Sequence, residues 1–195
     1  MSYILGLTGS IGMGKSTTAA MLAQHGLPVW DADGAVHRLY GAGGAAVAPI
    51  AALVPVARVQ GGLDRAELRR AIAENPALLG QIQAIVHPMV SQDRIDFIEK
   101  NQAPILVLDV PLLYEIGADT LCDGVIVVTA PPQVQKQRVL ARGMSEADFD
   151  LLLSRQMPDG EKRARATWVV QTRSLPHVQA QIATILAEIR GQIDA

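Results

Sequence analysis

The chain opens on a short apolar run, Tyr3–Thr8, that stops at a glycine-rich turn. Such a run without polar alternation predicts a strand covered on both faces. Lys15–Gln24 then has helical composition, with Gly26 where a helix C-cap glycine belongs. Residues 27–30 predict a second short strand, followed directly by Asp31, Ala32 and Asp33. Residues 41–62 are rich in Ala, Gly and Val, and their weak periodicity predicts no definite element. Asp64 with Glu67 predicts a capped helix start. Asn75-Pro76 predicts another, and His87-Pro88 an interruption after which a further helix runs towards Lys100. Residues 33–100 thus read as a mostly helical block.

Two nearly continuous runs of Val, Ile and Leu follow at 105–110 and 124–130, the pattern of central parallel strands buried on both sides. Residues 132–142 predict a helix, and Ser145 caps another that ends near Pro158. A fifth strand at 167–171 and a closing helix at 176–189 complete the pattern. Strands alternating with helices predict an α/β fold: a doubly wound, five-stranded parallel sheet. At 195 residues this suits a single domain with an inserted subdomain, its core formed by residues 1–32 and 101–195.

Composition narrows the classes. Hydrophobic residues make up 49% and aromatics only 4%, so the core is aliphatic and disorder is excluded. A net charge of −2 argues against a coat for nucleic acid. The single cysteine, Cys122, allows no internal disulfide and no thiolate zinc site, which suits a reducing compartment. No secretory leader pattern is present, and no apolar stretch approaches the roughly 20 residues of a membrane span. The expectation is a cytoplasmic protein that binds neither nucleic acid nor membrane, as a monomer or weak homo-oligomer.

Residues 9–16 read Gly-Ser-Ile-Gly-Met-Gly-Lys-Ser, an unbroken G-x-x-x-x-G-K-S between a predicted strand and a predicted helix. Glycines let the main chain turn its N–H groups onto phosphate oxygens, and the helix N-terminus adds partial positive charge there. Lys15 then reaches the terminal phosphates, and the Ser16 hydroxyl can ligate Mg²⁺. Gly9, Gly12, Met13, Gly14, Lys15, Ser16 and Thr17 are therefore the expected nucleotide-binding residues.

Phosphoryl transfer also needs a metal carboxylate, an acceptor base and cations around the moving group. Asp109 ends the strand ILVLD beside this loop, where it either serves Mg²⁺ with Ser16 or caps a turn. Asp31 and Asp33 follow the second strand, where acceptors bind in such sheets. Asp33 is taken as the base and Asp31 suits a helix cap, although spacing does not separate them. Arg138 and Arg142 share one helix face, either closing over the nucleotide or meeting solvent. Lys162, Arg163 and Arg165 read as a soluble surface. His87, alone before a proline, reads as structural.

In order along the chain stand LGLTGSIGMGKST, the triplet DAD, GGLDRAELR, IVHPMV and LDVPLLYE, then Gln135-x-x-Arg138-x-x-x-Arg142. This set resembles the dephospho-CoA kinases along nearly the whole chain. The resemblance implies an adenylate-kinase-like P-loop core, a helical substrate subdomain over 33–100 and a lid near 138–162. It implies transfer of a phosphoryl group from ATP, with Mg²⁺, to the 3′-hydroxyl of the dephospho-CoA ribose. Asp33 then resembles the catalytic base and Lys15 the phosphate clamp. Arg138 and Arg142 join them, while His87, Leu112, Leu113 and Glu115 lie near the acceptor. The chain departs from the family at Gln171, where an Asn-x-Gly-like turn is usual, and at Leu152, where many members carry arginine. The nearest alternatives are a shikimate-type or other small-molecule kinase and a nucleotide-gated switch. The first would carry a glycine-rich loop where Pro-Leu-Leu-Tyr-Glu stands, and a GTPase would carry an Asn-Lys-x-Asp motif that this chain lacks.

Overall fold

The structure is a computed structural model that describes residues 2–195. Its sheet has five strands in the order β2-β5-β1-β6-β7: β1 (Tyr3–Thr8), β2 (Val29–Asp31), β5 (Ile105–Asp109), β6 (Gly124–Thr129) and β7 (Trp168–Gln171). β1 lies parallel between β5 and β6, with Leu7 opposite both Asp109 and Ile126. β7 pairs parallel with β6 from Ile126↔Trp168 to Thr129↔Gln171. Because the strands run the same way, Thr8, Asp109, Thr129 and Gln171 all end at one edge of the sheet, where ligands bind in open α/β folds. β5 and β6 are buried at every position, which is why their sequences show no alternation.

The chain divides into two compact units, residues 1–29 with 101–195 and residues 30–100. The first packs α1 (Lys15–Gln24) and α9 (Leu175–Ile193) on the sheet. Leu5, Leu7, Met21, Leu22, Val107, Ile126 and Ile182 are central to its core. It also holds α6 (Pro132–Leu140), α7 (Glu146–Ser154) and the short α8 (Asp159–Arg165). The helix expected from Ser145 to near Pro158 is α7, which Ser145 caps by accepting from the Asp148 N–H and which ends at Ser154; α8, beginning after Pro158, was not expected. Proline suits a helix entrance and cannot donate within one.

The second unit has its own core, centred on Val47, Ile50, Leu63, Leu68, Ile82 and Val86. Its helices are α2 (Ala32–Tyr40), α3 (Val47–Leu53), α4 (Arg65–Glu74) and α5 (Ala77–Lys100). The stretch without periodicity holds α3, a 3₁₀ turn at Pro55–Ala57 and a hairpin of β3 (Arg58–Val59) with β4 (Gly62–Leu63). Gln60 and Gly61, both at positive φ, form its two-residue turn. Elements of two to seven residues are too short to display a period. The expected break at His87-Pro88 does not occur, and α5 runs through Pro88 for 24 residues. Proline removes one helix hydrogen bond and frees the carbonyl four residues earlier. Ala84, His87 and Pro88 are all exposed, so that carbonyl lies on the solvent side of the helix, where losing one bond costs little and the helix continues. No helix among the described residues is long and apolar enough to cross a membrane.

Trp30 and Arg38 meet on one carboxylate, Asp93 of α5. The Trp30 Nε1–H donates to Oδ1 at 2.7 Å and Arg38 Nη2 to the same oxygen at 2.6 Å. Burial pushes the Asp93 carboxyl up, and Asp96 adds to that. The hydrogen bonds from Arg38 and Trp30, with the Arg38 charge, outweigh both and leave it below its ordinary value. A carboxyl lowered on folding stabilises the folded state above its unfolded value, and the contribution is lost as pH falls through the folded one.

The two bonds are unequal, since Arg38 is 56% exposed whereas Trp30 is 3% exposed. An exposed ion pair contributes about 0–1 kcal/mol, but a buried donor left unpaired costs about 1–3 kcal/mol. Asp93→Ala is therefore expected to lower unfolding stability by about 1–3 kcal/mol and Arg38→Ala by less than about 1 kcal/mol, measured by denaturant unfolding near neutral pH. Below the ordinary carboxylate range the Asp93→Ala deficit should shrink. Equal losses in the two variants would show the ion pair, rather than the indole bond, to dominate.

Candidate functional site

The loop between β1 and α1 is shaped by what glycine permits. Gly14, at φ 95°, occupies the N-cap of α1 in the left-handed region, which a side chain there would strain. A Cβ on Gly9 would lie 2.3 Å from Val128 Cγ2 and 2.8 Å from the Val128 carbonyl oxygen. No side chain caps α1 and no acid stands in its first turn. Its leading N–H groups and dipole are left to an anion.

Neighbouring elements hold this loop. The Ile11 peptide is gripped at both ends: its N–H donates to Gln156 Oε1 at 3.0 Å, and its carbonyl accepts from Gln135 Nε2 at 2.7 Å. Met13 is buried beneath, its thioether 3.1 Å from the Ala130 N–H. The Met13 carbonyl accepts from the Thr172 hydroxyl at 2.8 Å. Thr172 in turn receives Arg138, through Nη1 to its hydroxyl at 2.8 Å and Nη2 to its carbonyl at 2.7 Å. The glutamine expected as a departure, Gln171, is held through its main chain. Its peptide N–H donates to Gln181 Oε1 and its carbonyl accepts from Gln181 Nε2.

Lys15 points to the end of β5, where its ammonium lies 2.6 Å from Asp109 Oδ1, the two side chains only 15% and 7% exposed. Past Asp109 the loop is tied down from two directions. The Pro111 carbonyl accepts from the Thr8 hydroxyl at 3.1 Å. Glu115 Oε1 accepts from the Met157 N–H at 2.9 Å and pairs with Lys162 Nζ at 2.8 Å. Burial pushes the Glu115 carboxyl up, but the Lys162 and Met157 hydrogen bonds and the lysine charge bring it below its ordinary value.

A cavity of about 470 Å³ adjoins the loop, lined by Gly14, Thr17, Arg138, Arg142, Thr172 and Arg173 among others. It brings both expected arginines to the nucleotide loop. A larger one, about 860 Å³, touches Met13 but neither Lys15 nor the arginines 138 and 142. Of the residues expected near an acceptor, Leu112 is exposed, whereas Leu113 is fully buried and belongs to the packing beneath the loop. Asp33 and His87 belong to the second unit. Asp31 caps α2, accepting from the Asp33 and Gly34 N–H groups. Asp33 itself is exposed in the first turn of α2, and His87 is exposed on α5.

Three contributions went unread in the sequence, although Gln135 stands in the motif Gln135-x-x-Arg138-x-x-x-Arg142. Gln135 and Thr172 are buried polar residues whose partners are main-chain atoms far along the chain, which no local pattern reveals. Lys162, expected at the surface, is completely buried. A signal existed: α8 reads Asp-Gly-Glu-Lys-Arg-Ala-Arg. A helix without a large apolar residue that docks at all must bury a charged one.

Gly9→Ala should destabilise the protein by about 1–3 kcal/mol through overpacking against Val128 and weaken nucleotide uptake in parallel. Thermal unfolding and binding titration check the two effects. Unchanged stability would show that β6 yields to the added methyl group.

The dephospho-CoA kinase family model matches residues 3–177. A dephospho-CoA kinase from Jannaschia sp. is 57% identical over 190 residues, covering 97% of this chain and 98% of that protein. A crystal structure from Thermus thermophilus superposes with a TM-score of 0.85 at 36% identity, covering 96% of this chain and 97% of that one. The dephospho-CoA kinase structure from Campylobacter jejuni shares the fold with a TM-score of 0.72 at 20% identity, over 98% of this chain and all of that one. Matched by the family model over residues 3–177 and by a relative 57% identical over nearly the whole of both chains, the chain belongs to the dephospho-CoA kinase family.

Proposed function

We propose that the protein transfers the γ-phosphoryl group of ATP to the 3′-hydroxyl of the dephospho-CoA ribose, giving coenzyme A and ADP. The observation that carries this reading is the match to the dephospho-CoA kinase family over residues 3–177. Nothing in the structure favours a shikimate-type kinase or a switch.

The N–H groups from Gly12 to Thr17 surround the phosphates, and Lys15 moves its ammonium from Asp109 to the β- and γ-phosphates. The smaller cavity takes the adenine, with the Arg138 guanidinium, fixed by its two bonds to Thr172, as one wall. Arg142 lines the same cavity, and for it to neutralise charge on the transferring group its side chain has to swing from there towards the phosphates. The acceptor hydroxyl attacks phosphorus as its proton passes to the Asp33 carboxylate, and the bond from phosphorus to the β,γ-bridging oxygen breaks, releasing ADP. Exposed Leu112 and His87 contribute to acceptor binding, with Leu113 and Glu115 acting from within the loop.

Mg²⁺ fits the donors present. No cluster of three His, Cys, Asp or Glu residues occurs among the described residues, so the chain supplies no cage. Mg²⁺ is commonly held by one or two protein oxygens together with substrate phosphates and water. The Ser16 hydroxyl and the Asp109 carboxylate would hold it, and it would supply charge neutralisation between the β- and γ-oxygens. A chain whose single cysteine, Cys122, can form no internal disulfide suits the cytoplasm, where we place it.

Incubation with ATP, Mg²⁺ and dephospho-CoA should yield coenzyme A and ADP in equal amounts. Hydrolysis of ATP indifferent to the acceptor would count against this reading. Asp33→Asn should lower kcat by about a hundredfold or more with ATP affinity retained. Turnover near that of the unaltered protein would remove Asp33 from the mechanism.

A further inference from the structure

Lys162 has no exposed surface at all, and it ranks among the largest fully buried side chains of the protein. Its ammonium lies 2.8 Å from Glu115 Oε1 and 3.5 Å from the Pro111 carbonyl oxygen. The second carboxylate oxygen, Glu115 Oε2, is buried and receives no hydrogen bond from the protein. A pair built for stability alone would be fully satisfied, or replaced by apolar side chains of similar volume, since desolvating two charges commonly cancels their attraction. What an ion pair adds is a fixed geometry between the two segments that carry it.

The segments are informative. One is the loop at 111–115 that leaves β5 directly after Asp109. The other is α8 with the residues just before it. α8 is fastened to the same loop region a second time: Arg165 pairs with Asp119 at 3.0 Å and lies over the Tyr114 ring at 4.4 Å. Immediately before α8, two adjacent residues face different partners. Gln156 accepts from the Ile11 N–H of the phosphate loop, and the Met157 N–H donates to Glu115. One carboxylate therefore joins the loop after β5 to the segment that grips the phosphate loop.

We propose that Lys162 is a positioning residue for the acceptor: by holding Glu115 and Pro111 it fixes the loop carrying Leu112, and through Met157 it keeps that loop in register with the segment that grips the phosphate loop at Ile11. The proposal rests on the reading that the loop at 111–115 meets the acceptor. The phosphate loop keeps independent supports in Gln135, Thr172 and the buried Met13, so loss of the pair should act on the acceptor more than on ATP.

Steady-state kinetics and ATP-binding titrations on the full chain, with Lys162→Met, Lys162→Arg, Glu115→Gln and the double variant Lys162→Met/Glu115→Gln, test it. Lys162→Met should raise KM for dephospho-CoA about tenfold or more while ATP affinity measured without acceptor changes by less than about threefold. The double variant removes both charges, so it should regain thermal stability and yet keep the raised KM. Lys162→Arg should recover part of the lost acceptor affinity. A double variant that folds stably and binds dephospho-CoA as the unaltered protein does would overturn the proposal and leave the pair a purely structural contact. Equal losses for ATP and acceptor would overturn it also. Failure of the unaltered protein to form coenzyme A is a separate result, which would sink the underlying reading instead.

Discussion

A loop that binds anions through its main-chain N–H groups cannot hold itself in place with the same atoms. Its shape has to be imposed from outside, and here the imposed contact is the double grip on the Ile11 peptide by Gln135 and Gln156. Neutral amides suit this task. A carboxylate in place of Gln156 would hold the N–H more strongly but set a full negative charge beside the phosphate site, and a lysine in place of Gln135 would compete with Lys15 for the anion. Glutamine supplies a donor to one side of the peptide and an acceptor to the other without altering the charge that the ligand meets. The packed Met13 side chain and the Thr172 hydroxyl complete the support from below.

The centre of the sheet was legible because β5 and β6 are buried at every position, so burial alone dictates their composition. The loop was legible because close approach to Val128 at Gly9 and positive φ at Gly14 admit glycine and little else. Asp64 was legible for a comparable reason, since its carboxylate accepts from the Ala66 and Glu67 N–H groups two and three residues on. These are local constraints, and local constraints leave local patterns. The long-range ones left none. Gln135 meets a peptide 124 residues away and Thr172 one 159 residues away. The unbroken course of α5 through Pro88 turns on which side of the helix meets solvent, a property of the folded chain.

Lys162 shows the same limit in charge patterning. Read along the sequence, Lys162, Arg163 and Arg165 form one basic cluster, yet the structure gives them three environments. Arg163 lies half exposed against Asp159, one turn before it. Arg165 bridges Asp119 and the Tyr114 ring. Lys162, one position from Arg163, is the buried one. A helix rotates by about 100° per residue, so adjacent charges face different surroundings. Their energetic weights differ accordingly: an exposed i,i+4 pair such as Arg163–Asp159 contributes little, whereas removing one member of a buried pair strands the other.

The Lys15–Asp109 pair combines burial with exchange. At 2.6 Å and largely desolvated, it keeps the ammonium at the end of β5 rather than among solvent-exposed rotamers. Lysine suits this better than arginine, because a compact charge on a flexible four-carbon stem can pass from a carboxylate to a phosphate by torsions alone, with no fork geometry to re-establish. A nucleotide presents several negative oxygens together, enough to draw the ammonium from a single carboxylate. On the proposed reading, Asp109 would then act with Ser16 on a cation that arrives with the same phosphates. One short contact between the first turn of α1 and the end of β5 thus fixes where the ammonium stands beside the phosphate loop before the nucleotide enters it.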